Sequence, residues 1–63
     1  GFIGKQLDVL IEGNGDGISV GRSYRDAPEI DGLVFFNEKI KPGKIVSAQV
    51  THALTHDLIA KSL

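Results

Sequence analysis

The chain has 63 residues, no cysteine, seven Lys and Arg against eight Asp and Glu, and a formal net charge of -1. A chain of this length forms one domain at most, and the absence of cysteine excludes both disulfide bonds and iron–sulfur clusters held by thiolates. The balanced charge lacks the basic excess of free-standing nucleic-acid-binding domains, and no apolar run approaches the ~20 residues that span a bilayer.

The first half of the chain predicts a β-hairpin. Apolar and polar residues alternate through Lys5–Glu12, and a period of two indicates a strand with one buried face. The Gly13–Gly17 stretch contains Asn-Gly and Asp-Gly steps, which supply the positive φ angles of a tight turn. A second strand is expected over 18–24, where Gly21 indicates a bulge or a sharp bend. One face of this strand carries Ile18, Val20, Arg22 and Tyr24.

The second half predicts three further strands. Asp26–Gly32 contains the Pro and Asp-Gly steps that are typical of loops. Leu33–Phe36 is a short apolar strand that we expect at the centre of the core, and Asn37–Lys44 is expected to be a polar connection. The alternating patterns of Ile45–Ala53 and Asp57–Lys61 predict the last two strands.

Five short strands in so short a chain predict an all-β fold, namely a small five-stranded antiparallel OB-like barrel. Closure of the sheet removes the exposed edges that a flat sheet would present. An SH3-like barrel is the alternative, and periodicity does not distinguish the two. No helix is expected, because no apolar stripe at helical spacing persists.

The short motifs do not predict catalysis or metal binding. The glycine-rich turn lacks the third glycine and the following helix of a dinucleotide-binding loop. A calcium loop starting at Glu12 is excluded because Ser23 stands where the bidentate Glu is required. His52 and His56 are four residues apart, but a turn is expected between them and no third ligand is evident. Neither histidine has an obvious partner serine, so we expect no catalytic, cofactor-binding or metal-binding residue in this chain.

The stretch 22–32 is the most unusual feature, because two Arg and one Tyr are followed by three carboxylates within six residues. A recognition surface is one interpretation, since barrel loops commonly carry binding sites. The other is a solvated loop in which Arg and Asp neutralise each other, with each exposed pair contributing ~0–1 kcal/mol. The candidate partner-binding residues are Arg22, Tyr24, Arg25, Asp26, Glu29 and Asp31.

The Gly21–Gly32 stretch resembles the signature of the TRAM domain in radical-SAM methylthiotransferases that act on a small-subunit ribosomal protein. Leu7–Gly13 resembles the first strand of that domain, and 50–53 with 57–58 resemble its closing strands. The acidic part of the signature is specific, because the sister enzymes that modify transfer RNA generally lack it. His56 departs from the pattern, which has an aromatic residue such as Tyr at that place.

The resemblance implies that residues 1–63 are a TRAM domain excised from a larger cytoplasmic enzyme, in agreement with the absence of an initiating Met. The parent would hold iron–sulfur clusters and S-adenosylmethionine in other domains, and would add a methylthio group to an aspartate of the ribosomal protein. This domain would do no chemistry and would recruit the basic ribosomal protein, which an acidic loop complements. Arg22, Tyr24 and Arg25 would serve as anchors, since Tyr and Arg are enriched in binding hot spots.

Two alternatives to recruitment stay open, and neither involves a membrane. One is a structural lid on the parent's catalytic domain, because a lone barrel would leave Leu10, Phe2 and Ile3 exposed. The other is an RNA-binding module, although the three Phe are expected in or near the core and an acidic loop repels phosphate. The basic residues available to such a module are Arg22, Arg25, Lys39, Lys41 and Lys44.

Overall fold

The strands of the barrel lie close to where the alternating patterns predict them. The computed structural model describes residues 3–24 and 32–63, and within them the chain forms strands and no helix, so none that could cross a membrane. The all-β prediction is confirmed. The five strands in these residues are β1 (Gln6–Gly15), β2 (Ile18–Tyr24), β3 (Val34–Phe36), β4 (Ile45–Ala53) and β5 (Leu58–Ser62).

The β1–β2 hairpin turns later than the sequence pattern indicates. β1 continues through the Asn14-Gly15 step, so the turn consists of Asp16 and Gly17 alone. Asp16 has a φ of 54° and Gly17 a φ of 76°. Two central residues with positive φ match the right-handed twist of the flanking strands, which is why Asp-Gly suits this position.

The strands close into a ring in the order β1-β2-β3-β5-β4, with β4 pairing back to β1. This closed five-stranded ring confirms the OB-like barrel. Four of the five pairings are antiparallel, but β3 and β5 are parallel, with Phe35 beside Ile59. The predicted antiparallel barrel is therefore confirmed, with one parallel seam that the sequence pattern did not reveal. Strand directions cannot alternate all the way around a ring with an odd number of members, so one parallel pair is unavoidable.

The core is built from alternate residues of the strands, as the period of two predicts. Within β3 only Val34 and Phe36 are fully buried, while Phe35 lies half-buried on the outside of the barrel. On β2 the inward residues are Ser19 and Gly21, on the face opposite Arg22 and Tyr24. The buried apolar residues are Leu7, Val9, Ile11, Val34, Phe36, Ile40, Ala48, Val50, Leu58 and Ala60, with Val46 packed against them.

The irregularity indicated by Gly21 lies on the neighbouring strand. Ile11 pairs with Gly21 and Gly13 pairs with Val20, so Glu12 is an extra residue that forms a bulge in β1. A Cβ at Gly21 would overlap the carbonyl oxygen of Leu10. The glycine is thus required by the close approach of β1, and not by a bulge in its own strand.

The connection between β3 and β4 is less polar than its sequence indicates, because Ile40 is only 8% exposed and joins the core. The fully buried Ser19 hydroxyl donates a hydrogen bond to the carbonyl oxygen of Glu38 and accepts one from the amide of Ile40, each at 2.7 Å. Asn14 Nδ2 donates to the carbonyl oxygen of Ile40 at 2.9 Å. The connection is therefore polar apart from Ile40, which packs into the barrel.

Candidate partner-binding surface

Two of the six candidate partner-binding residues can be placed. Arg22 and Tyr24 are the third-last and last residues of β2, and both are exposed on the outer face of the barrel. The other four, Arg25, Asp26, Glu29 and Asp31, fall within 25–31, outside the described residues.

Arg22 has a carboxylate partner that the sequence pattern did not predict. Its Nε donates to Glu12 Oε1 at 3.0 Å, and the two side chains are 62% and 44% exposed. An ion pair this exposed contributes ~0–1 kcal/mol to stability. The bulge at Glu12 brings the carboxylate across from β2, and the weak pairing leaves Arg22 able to exchange its partner.

Tyr24 is 40% exposed and stands opposite Asp8 in the β1–β2 ladder. Asp8 in turn lies opposite Ser47 of β4, whose hydroxyl approaches Asp8 Oδ1 at 3.4 Å. The phenol ring therefore belongs to a polar row that crosses three strands. An aromatic ring with a hydroxyl in such a place offers apolar contact area and a hydrogen-bonding group together.

Gly32, the first described residue after 25–31, packs closely against the residues before β5. A Cβ at Gly32 would overlap the carbonyl oxygen of His56 and lie 2.6 Å from Asp57 Oδ1. The next amide, that of Leu33, donates to Asp57 Oδ1 at 2.8 Å. The β4–β5 turn thus holds the residue that follows the acidic stretch. The sequence analysis gave Asp57 and Leu58 as the start of the last strand and as part of the resemblance, but the anchoring contact of Asp57 is not visible in the local pattern.

A half-exposed apolar row crosses the outside of β2, β3 and β5. Val20 pairs with Phe35, and Phe35 pairs with Ile59, with all three partly buried. Arg22 and Lys61, each two residues further along its strand, are exposed on the same side of their strands. The expectation that the Phe residues lie in or near the core holds for Phe36 but not for Phe35, and Phe2 is outside the described residues.

A groove of about 460 Å³ runs along the start of β4 and the end of β5. We call it the lysine groove. Glu38 is the carboxylate among its lining residues, and it accepts hydrogen bonds from the Ser62 hydroxyl at 2.6 Å and the Ser62 amide at 3.0 Å. These two bonds, the one from the hydroxyl first, lower the pKa of Glu38 from its usual 4.5. The lining residues are Glu38, Lys39, Ile40, Lys41, Lys44, Ile45, Val46, Ser47, Ser62 and Leu63.

The apolar residues named for a lid do not form one patch. Leu10 is half-buried and pairs with Ile45 at one end of the β1–β4 ladder. Ile3 is exposed at the other end, where the next amide, that of Gly4, bonds to the carbonyl oxygen of Val50. Phe2 lies outside the described residues.

The residues of this chain could not hold the iron–sulfur clusters that the resemblance implies for the parent enzyme. The chain has no cysteine to supply thiolate ligands. In residues 3–24 and 32–63 no group of three or more His, Asp or Glu converges on a metal position. His52 Nδ1 instead lies 3.1 Å from Thr51 Oγ1. No chemical step is therefore assigned to this chain.

Comparison with known proteins gives one family and a set of consistent relatives. A model of the TRAM domain matches residues 3–63. The chain is 54% identical over 61 residues to the ribosomal protein uS12 methylthiotransferase RimO of Thermoanaerobacter sp. (strain X514), covering 94% of this chain and 14% of that protein. It is 47% identical over 62 residues to the protein of the same name from Shewanella sp. (strain W3-18-1), covering 95% of this chain and 13% of that one. The chain thus spans only a small part of these relatives.

Proposed function

Because the chain belongs to the TRAM domain family, we propose that it is the substrate-recruiting module of an enzyme that methylthiolates an aspartate of ribosomal protein uS12. The relatives that it matches are named as methylthiotransferases of that ribosomal protein. The module binds the ribosomal protein and does none of the chemistry. Iron–sulfur clusters and S-adenosylmethionine belong to other parts of the enzyme, since this chain offers no thiolate.

The observation that carries the proposal is the placement of the described residues on either side of the acidic stretch. Arg22 and Tyr24 are exposed at the end of β2, directly before the stretch in the sequence, and Gly32, directly after it, packs against the turn between β4 and β5. Asp26, Glu29 and Asp31 lie between these two points in the sequence. We infer that a partner meets the exposed Tyr24 and the carboxylates of this stretch together.

Electrostatics favours a basic protein as the partner. Proteins that bind ribosomal RNA carry an excess of positive charge, and an acidic patch speeds their encounter and fixes their orientation. The ion pair of Arg22 with Glu12 is exposed and weak, so the guanidinium is free to turn to an acidic or carbonyl group of the partner. Affinity should therefore fall as salt rises.

Measured affinity for purified uS12 tests the proposal. The triple variant D26N/E29Q/D31N should bind at least about tenfold more weakly and should lose most of the salt dependence. Asp31→Asn and Asp16→Asn form a matched pair, because each removes one carboxylate and only the first lies in the acidic stretch. Equal affinities for these two variants and an unchanged affinity for the triple variant would contradict the proposal.

One observation favours a second function, the binding of single-stranded RNA. Phe35 is half-buried on the outer face of β3, with Arg22 and Lys61 on the strands to either side. Barrels of this kind bind single strands by stacking bases on aromatic rings beside basic side chains, with each stacked base contributing ~1–3 kcal/mol. The net charge of -1 and the carboxylates of the acidic stretch oppose such binding.

RNA titrations at low salt test this second function. Phe35→Leu keeps an apolar side chain in the Val20–Phe35–Ile59 row and removes the stacking surface. Binding of a single-stranded RNA that this variant weakens by about tenfold or more would support the second function. RNA binding that is undetectable at low salt would exclude it.

A further inference from the structure

The lysine groove shares no residue with the proposed recruitment surface. It lies along the start of β4 and the end of β5, while Arg22 and Tyr24 belong to β2. Leu10 of β1 stands between them, since it pairs with Arg22 on one side and with Ile45 on the other. The groove is therefore built from residues other than the candidate partner-binding residues.

The side chains that line the lysine groove carry a net positive charge, because three lysines stand against the one carboxylate of Glu38 among the described lining residues. Lys39, Lys41 and Lys44 are all exposed, and none of the three forms an ion pair within residues 3–24 and 32–63. Glu38 already accepts two hydrogen bonds from Ser62. Lysines in such a place attract acidic groups.

The apolar part of the lysine groove is aliphatic. Ile45 is 43% exposed and Leu63 is 64% exposed, and both line the groove. The amide of Leu63 bonds to the carbonyl oxygen of Ser47 at 2.9 Å, which holds β5 against β4 at this point. Among residues 3–24 and 32–63, no aromatic residue on which a base could stack lines the groove. Aliphatic surface with a cationic rim suits a protein segment better than a nucleic acid.

We propose that the lysine groove binds an acidic protein segment that places an aliphatic side chain against Ile45 and Leu63. The natural source is the rest of the longer polypeptide, because the chain spans only 13–14% of the relatives that it matches. The groove then holds the barrel at a set orientation while the β2 surface faces the substrate. This proposal does not depend on the recruitment function, since it concerns other residues.

An NMR titration of the isotope-labelled chain tests the proposal with two probes. One probe is the Thermoanaerobacter relative without its matching 61 residues. The other is a short synthetic peptide of repeated Glu-Glu-Leu, which needs no folding. Both should shift the signals of 39–45 and of Leu63. A Lys-Lys-Leu peptide of equal length should leave those signals unchanged.

Matched variants distinguish the contribution of charge to binding from the contribution of apolar contact. The K39E/K41E variant should bind both probes at least about tenfold more weakly, while Lys5→Glu, one residue before β1, should change affinity by less than about twofold. Ile45→Thr should also weaken binding, and Leu54→Ser, which changes an exposed leucine in the β4–β5 turn, should not. Each variant is first checked for an unchanged amide spectrum outside its own neighbourhood.

Three outcomes would overturn the proposal. The first is the absence of shifts at 39–45 with both the truncated enzyme and the acidic peptide. The second is that K39E/K41E and Lys5→Glu weaken binding equally. The third is that a single-stranded RNA shifts the groove signals at low salt while neither protein probe does.

Discussion

Asp57 Oδ1 accepts a hydrogen bond from the backbone amide of Leu33 at 2.8 Å, and this contact ties the turn before β5 to the start of β3. The amide of Leu58 completes the link by bonding to the carbonyl oxygen of Leu33 at 2.9 Å. These bonds lie at the parallel β3–β5 seam. The β3–β5 pairing that closes the barrel therefore also positions Leu33, which follows the acidic stretch in the sequence.

Asp57→Ala should destabilise the barrel by about 1–3 kcal/mol, because it leaves a part-buried amide without its acceptor. Asp57→Asn keeps an acceptor oxygen and should cost less than half as much. Urea denaturation followed by circular dichroism measures both. Equal losses for the two variants would show that the hydrogen bond of Leu33 is not the cause.

Gly32→Ala should destabilise the domain by about 1–3 kcal/mol or more, since the added methyl group would overlap the carbonyl oxygen of His56. Gly15→Ala is the matched control, because nothing lies within 4 Å of its Cβ position and its φ is not positive. Thermal denaturation of the two variants checks this. A Gly32→Ala variant as stable as Gly15→Ala would contradict the close packing described here.

Ser19→Ala should cost about 2–3 kcal/mol, because the buried hydroxyl both donates to Glu38 and accepts from Ile40. Ser47→Ala removes an exposed hydroxyl whose contact with Asp8 is 3.4 Å long, and should change stability by less than about 0.5 kcal/mol. Chemical denaturation compares them. A small loss for Ser19→Ala would mean that the β3–β4 connection holds its place without this bridge.

The free energy of unfolding should depend on pH through Glu38. The pKa of Glu38 is lowered in the folded state by its hydrogen bonds from Ser62, so the stabilisation is fully present above the unfolded value of 4.5. It is lost as the pH falls from there through the lower folded pKa. The difference in the free energy of unfolding between the unaltered chain and Glu38→Gln should therefore be largest above pH 4.5. It should shrink as the pH falls below that value, as denaturation curves between neutral pH and acid would show. An identical pH dependence for the variant would exclude Glu38 as the source.

Local sequence patterns predicted every strand but not the way in which the ends of the barrel close. Alternation placed β4 and β5 well, because Ala48, Val50, Leu58 and Ala60 are buried as expected. The burial of Ile40 was not predicted, because a single apolar residue between two lysines forms no periodic pattern. Its burial depends on Ser19, which is 21 residues away in the sequence.

The candidate site could be predicted only in part. The sequence pattern grouped Arg22 and Tyr24 with Ile18 and Val20 on one face of β2 without assigning its exposure, and the structure places this face on the outside of the barrel. The partner of Arg22 was not foreseen, because Glu12 reaches it through a bulge that alternation cannot reveal. The lysines of the groove were predicted only as part of a polar connection and as basic residues available to an RNA-binding module. The concavity of the lysine groove arises where the connection to β4 meets the end of β5, a contact between distant parts of the chain.

The most direct test of the recruitment function is an NMR titration of the labelled chain with purified uS12 at moderate salt. The account predicts shifts at Arg22, Tyr24 and Gly32 and within 25–31, together with their loss in the D26N/E29Q/D31N variant. No shift with uS12, combined with RNA-dependent shifts around Phe35 and Ile59, would contradict it and favour the RNA-binding function.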